Sequence, residues 1–210
     1  MKKSFLVCLF ATILIFSGCE KDDPAPTGKV EIIPRALFNG EPIQQGFLYD
    51  DGVGHKIRID DFKAYLSDIA LVKETGERVL VADYYLSKFY QNPGISAEVE
   101  STNYTKIQWS VGVPEAVNKD SDPAEYANTH PLSVTGSAGM FWSWNTGYIF
   151  TKFDGKANLT GGPGPVLDPF AFHIGEDFLY RSHEAEVRMC PGGDETQRVY
   201  IDFHVDQFLA

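Results

Sequence analysis

The chain is short of cysteine. It has three, Cys8, Cys19 and Cys190, and the first two fall near the N-terminus, so the body of the protein holds one thiol and no internal disulfide can brace it. Its one long apolar run, Phe5 to Phe16, is too short for a bilayer span and follows Lys2 and Lys3, as in an export signal. Positive charge is also scarce, with 18 Lys and Arg against 29 Asp and Glu and a net charge of −11. That argues against nucleic acid as a partner, because phosphate binding needs cationic side chains. An acidic surface serves solubility and suits cations as ligands. The sequence lacks G-x-S-x-G, the P-loop ending Gly-Lys-Ser/Thr, the Rossmann fingerprint and H-E-x-x-H; His183-Glu184 is followed by Ala-Glu-Val. Nothing orders its Ser, His and Asp residues into a triad, so nucleophilic catalysis can be set aside.

The N-terminus reads as a lipoprotein leader. Phe16-Ser17-Gly18-Cys19 resembles a bacterial lipobox, which makes residues 1–18 a signal peptide and Cys19 the lipid-modified first residue. Such a lipid anchors a protein to a membrane without spanning it. Glu20-Lys21-Asp22-Asp23 resembles the surface-export signal of Bacteroidota lipoproteins, so the expected location is the outer membrane, facing either the surface or the periplasm. Residues 19–29 form an acidic, Pro-rich tether ending Pro24-Ala25-Pro26-Thr27-Gly28, and residues 30–210 suit one domain. Cys190, alone in that domain, is expected to be buried and inert.

Strand patterns dominate the domain. Val30, Ile32 and Ile33 open it, Lys56 to Ile59 alternates, and Ile107, Trp109, Val111 and Val113 give the clearest half-buried strand. Phe62 to Val72 is mixed: Tyr65, Ser67, Ile69 and Leu71 share one strand face, with a helical turn as the alternative reading. Thr75-Gly76 turns the chain back into Arg78 to Ala82 as a hairpin. Asp122-Pro123-Ala124-Glu125 reads as a helix start, with Asp as cap and Pro at the first position, and would deliver His130 at the helix end. Trp142 to Phe153 reads as one strand or two around Gly147, and Gly155 to Pro169 as loop. Phe170 to Ile174, Glu184 to Met189 and Val199 to Val205 complete the strands. The prediction is an all-β fold: a β-sandwich of antiparallel strands with one short helix.

The candidate metal donors are His130, Met140, His173, His183, Met189, Cys190 and His204, whose imidazole, thioether and thiolate groups suit copper or zinc. His173 leaves the apolar face formed by Phe170 and Phe172, and His204 shares a strand face with Asp202 and Asp206. Trp142 and Trp144 point the same way on a strand. Three readings of that pair stand side by side: core, a flat platform that stacks a glycan or peptide, or the lining of a metal site.

The order of several segments resembles the copper-binding MbnP-like family, whose name comes from a methanobactin-associated periplasmic protein. They are Tyr65-Leu66-Ser67-Asp68-Ile69, then Val111-Gly112-Val113-Pro114 with Asn118, His130-Pro131-Leu132, Met140 to Phe150, and Phe172-His173-Ile174-Gly175. The specific part is M-x-W-x-W-x-x-G-Y-x-F. The resemblance implies a β-sandwich without enzyme activity of its own. It also implies copper held by histidines and, in some members, by a kynurenine made from tryptophan by a diheme peroxidase-like partner. Carried onto this chain, Trp142 or Trp144 would be the modified residue, and His130 and His173 the ligands. Phe141 and Ser143 stand where copper-binding members carry histidines beside the tryptophans. Either His130 and His173 suffice with a modified indole, or this branch keeps the scaffold without the metal.

Overall fold

A computed structural model describes residues 25–52, 54–91, 93–142, 147–158 and 167–208. The leader with Cys19, the acidic stretch through Asp23, Trp144 and Gly161 to Pro165 lie outside the described residues. The strands in chain order are β1 (Thr27–Phe38), β2 (Glu41–Pro42), β3 (Leu48–Asp50), β4 (Lys56–Lys73), β5 (Arg78–Lys88), β6 (Ile95–Glu100) and β7 (Tyr104–Val111). A short helix α1 (Glu115–Asp120) follows, then β8 (Phe141–Trp142), β9 (Gly147–Tyr148), β10 (Thr151–Asn158), β11 (Asp168–Ile174), β12 (Arg181–Met189) and β13 (Gln197–His204).

Two sheets face each other, and the fold is the all-β sandwich with one short helix that the strand patterns predict. In the smaller sheet β1 is central. Its first half pairs antiparallel with β6 and its end with β2. On its other edge it pairs with β13, the one parallel pairing among the described residues. Two ion pairs sit on that parallel seam, Arg35 with Asp202 at 2.7 Å and Glu31 with Arg198 at 2.8 Å, each between residues that are partners in register.

The larger sheet is organised by β4, which has 18 residues. Its first half pairs with β10 and its second half with β7. Lys63 and Ala64 pair with β10 and with β5, and Leu66 to Val72 pair with β7 and with β5, so β10 and β7 lie end to end on one side of β4. β11 extends the sheet beyond β10, and β12 beyond β7. Proximity at the junction is set by glycine: a Cβ on Gly112, whose φ is +111°, would fall 2.6 Å from the Phe150 ring.

Such a long strand keeps one face inward only by slipping its register. Asp68 has a φ of 54°, and the pairing shifts between Ser67 and Ala70. This bulge reverses the alternation. Tyr65 and Ser67 therefore face outward and Ile69 and Leu71 inward, contrary to the single face expected for all four. Ile32, Leu66, Ile69, Leu71, Ile107 and Ile201 form one half of the inter-sheet core. Ile57, Ile59, Phe62, Phe153 and Val205 form the other, and Phe203 packs against both. Each such side chain, fully buried, contributes about 1.5–3 kcal/mol.

The described residues of segment 112–150 pack on the opposite, outward face of the larger sheet. Val113, Leu132, Met140, Tyr148, Ile149 and Phe150 bury Tyr65 there as a separate outer-face core. The helix in this segment is α1, starting after Pro114, rather than one starting at Asp122. Asp122 does accept a hydrogen bond from the Ala124 amide at 2.9 Å, but only a single 3-10 turn, Pro123–Glu125, follows, and Tyr126 is extended. His130 thus sits in a later turn, not at a helix end. Cys190 is exposed, not buried, because it falls just past the end of edge strand β12.

Candidate functional site

The outer-face core organises most of the residues that the sequence marks out. Tyr65 on β4 and Tyr148 on β9 project into it, and their hydroxyls donate to consecutive carbonyls of one turn. Tyr65 bonds Pro131 O at 2.8 Å and Tyr148 bonds Leu132 O at 2.7 Å. Burial pushes both phenols well above the ordinary tyrosine range, with each ring further affected by neighbouring tyrosines. They therefore stay protonated donors. The two bonds clamp His130-Pro131-Leu132 against the sheet.

His130 is fixed on three sides. Its Nδ1 accepts the Leu132 amide at 3.1 Å, its ring stacks on Tyr126 with centroids 4.5 Å apart, and its edge meets Tyr84 at 5.9 Å. With Nδ1 occupied, Nε2 is the nitrogen it can offer a metal.

Asn118, buried at the end of α1, holds the tryptophan hairpin. Its Oδ1 accepts the Tyr148 amide at 2.6 Å, and its Nδ2 donates to Asp177 at 2.8 Å. Gly147 allows this approach, since a Cβ there would lie 3.3 Å from Asn118 Oδ1. Trp142 pairs with Gly147 across the β8–β9 hairpin and is half-buried in the outer-face core. Its ring lies on the backbone of Gly175, where a Cβ would fall 2.6 Å from Cζ3. Trp142 is thus part of a core along its inner side. Trp144 lies outside the described residues.

His173 on β11 faces outward, as its alternation with Phe172 predicts. Its Nε2 is 2.8 Å from Asp154 Oδ1 on β10, leaving Nδ1 open. Asp154 also lies 3.3 Å from Lys152, which lies 3.3 Å from Asp61, and Asp61 pairs with Lys63 at 2.8 Å. A row of alternating charge thus crosses β4 and β10 and holds the imidazole on β11. A carboxylate on the far nitrogen is the arrangement that orients metal-binding histidines.

The structure gives the two histidines separate surroundings. His130 and His173 share no hydrogen-bond or ring partner, and among the described residues no three His, Cys, Asp or Glu side chains gather as a metal group. The Asp-His-Asp strand face expected around His204 does not form. Asp202 is held by Arg35, and Asp206 falls in the 3-10 turn after β13. Sequence reasoning missed the two phenol donors, the Asp154 partner and the role of Asn118. Asn118 stood among the marked residues without a role, whereas Asp154 is found only from the strand register.

A family model described as MbnP matches residues 27–210. No curated protein matches the chain. Among solved structures, MbnP from Methylosinus trichosporium shares the fold, with a TM-score of 0.55 and 17% identity over 84% of this chain and 76% of that one. A match across nearly the whole folded region decides the matter, and the chain belongs to the MbnP family.

Proposed function

We propose that this protein is a non-enzymatic copper-binding protein of the cell envelope, held to the membrane by a lipid on Cys19. Its family is associated with copper, and the observation that carries the reading is the pair His130 and His173. Each has one ring nitrogen fixed by a partner and one left to offer. Imidazole suits copper, and Asp154 on the far ring nitrogen would fix the orientation of His173 for ligation, as a carboxylate partner does.

In this reading Trp142 or Trp144 supplies a further ligand after oxidation by a diheme peroxidase-like partner. Two equivalents of peroxide place two oxygen atoms across the indole C2–C3 bond and break it, with two waters released. Hydrolysis then removes one carbon as formate and frees the kynurenine amine. The product is about 4 Da heavier than the parent chain.

Titration of the mature domain with copper(I) and copper(II), with and without His130→Ala and His173→Ala, tests the assignment. One equivalent is expected for the parent, with loss in either variant. Binding that is absent from material isolated from its native source, or unchanged by both substitutions, defeats it. Intact mass of the native-source protein reports the tryptophan oxidation separately.

A further inference from the structure

The two sheets part between their edge strands β12 and β13, leaving a cleft of about 440 Å³. Its walls break the inside-out pattern of a sandwich. Across the β7–β12 ladder, Ala185 stands opposite Ile107, His183 opposite Trp109 and Arg181 opposite Val111. Directly opposed residues share a sheet face, and Ile107 belongs to the inter-sheet core. His183 and Arg181 therefore occupy core-facing positions. The outward alternates confirm the facing, since Glu184 bonds Lys106 and Gln108 and Ser182 bonds Ser110 on the other side. Both side chains are exposed, so they line the open edge of the sandwich on the face that continues its core.

The cleft has a flat wall and a cationic end. The Trp109 indole and His183 imidazole stack with centroids 5.4 Å apart and planes 20° from parallel. Ile201 and Phe203 of β13 face them with apolar surface. Arg181 is held in place where its Nη1 donates to Phe178 O at 2.6 Å and to Tyr180 O at 2.9 Å. No described carboxylate forms an ion pair with it. Asp202, the one carboxylate of the lining, is neutralised by both oxygens bonding Arg35, at 2.7 and 2.8 Å. In a chain of net charge −11 this cleft is a locally cationic pocket beside a half-buried aromatic plane.

We propose that the cleft binds a small aromatic carboxylate, its ring stacked against Trp109 and its acid group paired with Arg181. The volume is in the range of small-molecule sites, and a few polar groups around an apolar floor are their usual composition. Arginine presents a planar fork that matches a carboxylate. The site shares no residue with the copper ligands proposed above.

The test uses calorimetry on the mature protein with 2-naphthoate and its uncharged analogue 2-naphthamide. Naphthoate is expected to bind, with the amide weaker by about ten- to a hundredfold, the worth of a charge-assisted hydrogen bond. Arg181→Gln removes that preference, and Trp109→Leu weakens both probes. Arg181 is exposed, so its variant remains informative should Trp109→Leu fail to fold by circular dichroism. Equal affinity for the two probes, no binding of naphthoate, or a preference that survives Arg181→Gln overturns the proposal. His130→Ala and His173→Ala leave naphthoate binding unchanged, which separates this site from the copper reading.

Discussion

Replacing Asn118 by Leu removes a side chain that joins α1, the β8–β9 hairpin and the turn at Asp177. Leucine fills nearly the same volume but neither donates nor accepts. The Tyr148 amide, buried and bonded to Asn118 at 2.6 Å, loses its acceptor. An orphaned buried amide costs about 1–3 kcal/mol. Asp177 loses the Asn118 donor but keeps Lys119 at 3.2 Å, and its side chain is 22% exposed, so water replaces part of the loss. The sum is about 2–4 kcal/mol. For a domain of this size 1 kcal/mol moves the melting temperature by about 2–4 °C, so a cost near 3 kcal/mol lowers it by roughly 6–12 °C. Urea unfolding followed by tryptophan fluorescence and far-ultraviolet circular dichroism should give a lower midpoint at an unchanged slope. The bonding polarity is checked by Asn118→Asp, which still accepts from the Tyr148 amide but sets two carboxylates together. Adding Asp177→Asn restores a donor opposite an acceptor and should recover more than half of the loss. The reasoning is refuted if Asn118→Leu costs less than about 0.5 kcal/mol, the range of ordinary surface changes, or if Asp177→Asn fails to rescue Asn118→Asp.

Further outcomes follow from the same core. Tyr148→Phe leaves the Leu132 carbonyl without its donor, and Tyr65→Phe does the same to Pro131; each should cost about 1–3 kcal/mol by denaturant midpoint. Gly175→Ala places a methyl 2.5 Å from Tyr148 O and 2.6 Å from the Trp142 ring. It should destabilise by about 1–3 kcal/mol and shift the tryptophan emission, and an unchanged spectrum would contradict the described position of Trp142. Both buried phenols have raised pKa values in the fold, against an ordinary value of 10.0. The unfolded chain thus loses these protons first, stability is full below that value, and it falls as pH rises past it. Absorbance at alkaline pH should therefore show exposed tyrosines ionising first and these two only with unfolding. If copper binds at His173, Asp154→Asn should weaken it by about ten- to a hundredfold without changing stoichiometry, measured by competition with a chelator.

Several strands were legible because alternation survives wherever pairing is regular, whereas β3 and β6 went unread and the ends of β10 and β11 fell in the stretch from Gly155 to Pro169 read as loop. Ile107 to Val111, Phe170 to Ile174 and Val199 to Phe203 sit where period two places them. Legibility fails at Asp68, where a bulge turns the face of β4 in a stretch that still reads as one alternating run. It fails again at Asp122, where a sound cap is followed by a single 3-10 turn and an extended Tyr126. The parallel pairing of β1 with β13 leaves no local sign, since its partners lie far apart in sequence. At the site, the tryptophan and histidine segments stand out by residue type. Their partners do not: Asp154 meets His173 only through the β10–β11 register, and Tyr65 reaches Pro131 only across two elements.

The seam between the first and last strands also orders assembly in time. Residues 30 to 37 find their parallel neighbours at 197 to 204, so one wall of the fold cannot exist until those later residues have emerged. Contacts this distant in sequence slow folding. Until they form, β1 keeps a bare edge, the kind of template that recruits other chains. The facing charges Glu31 with Arg198 and Arg35 with Asp202 then act as a keyed closure. A slip by one residue breaks both pairs and turns the strand's apolar side outward, so the last strand to arrive has one register in which to lock.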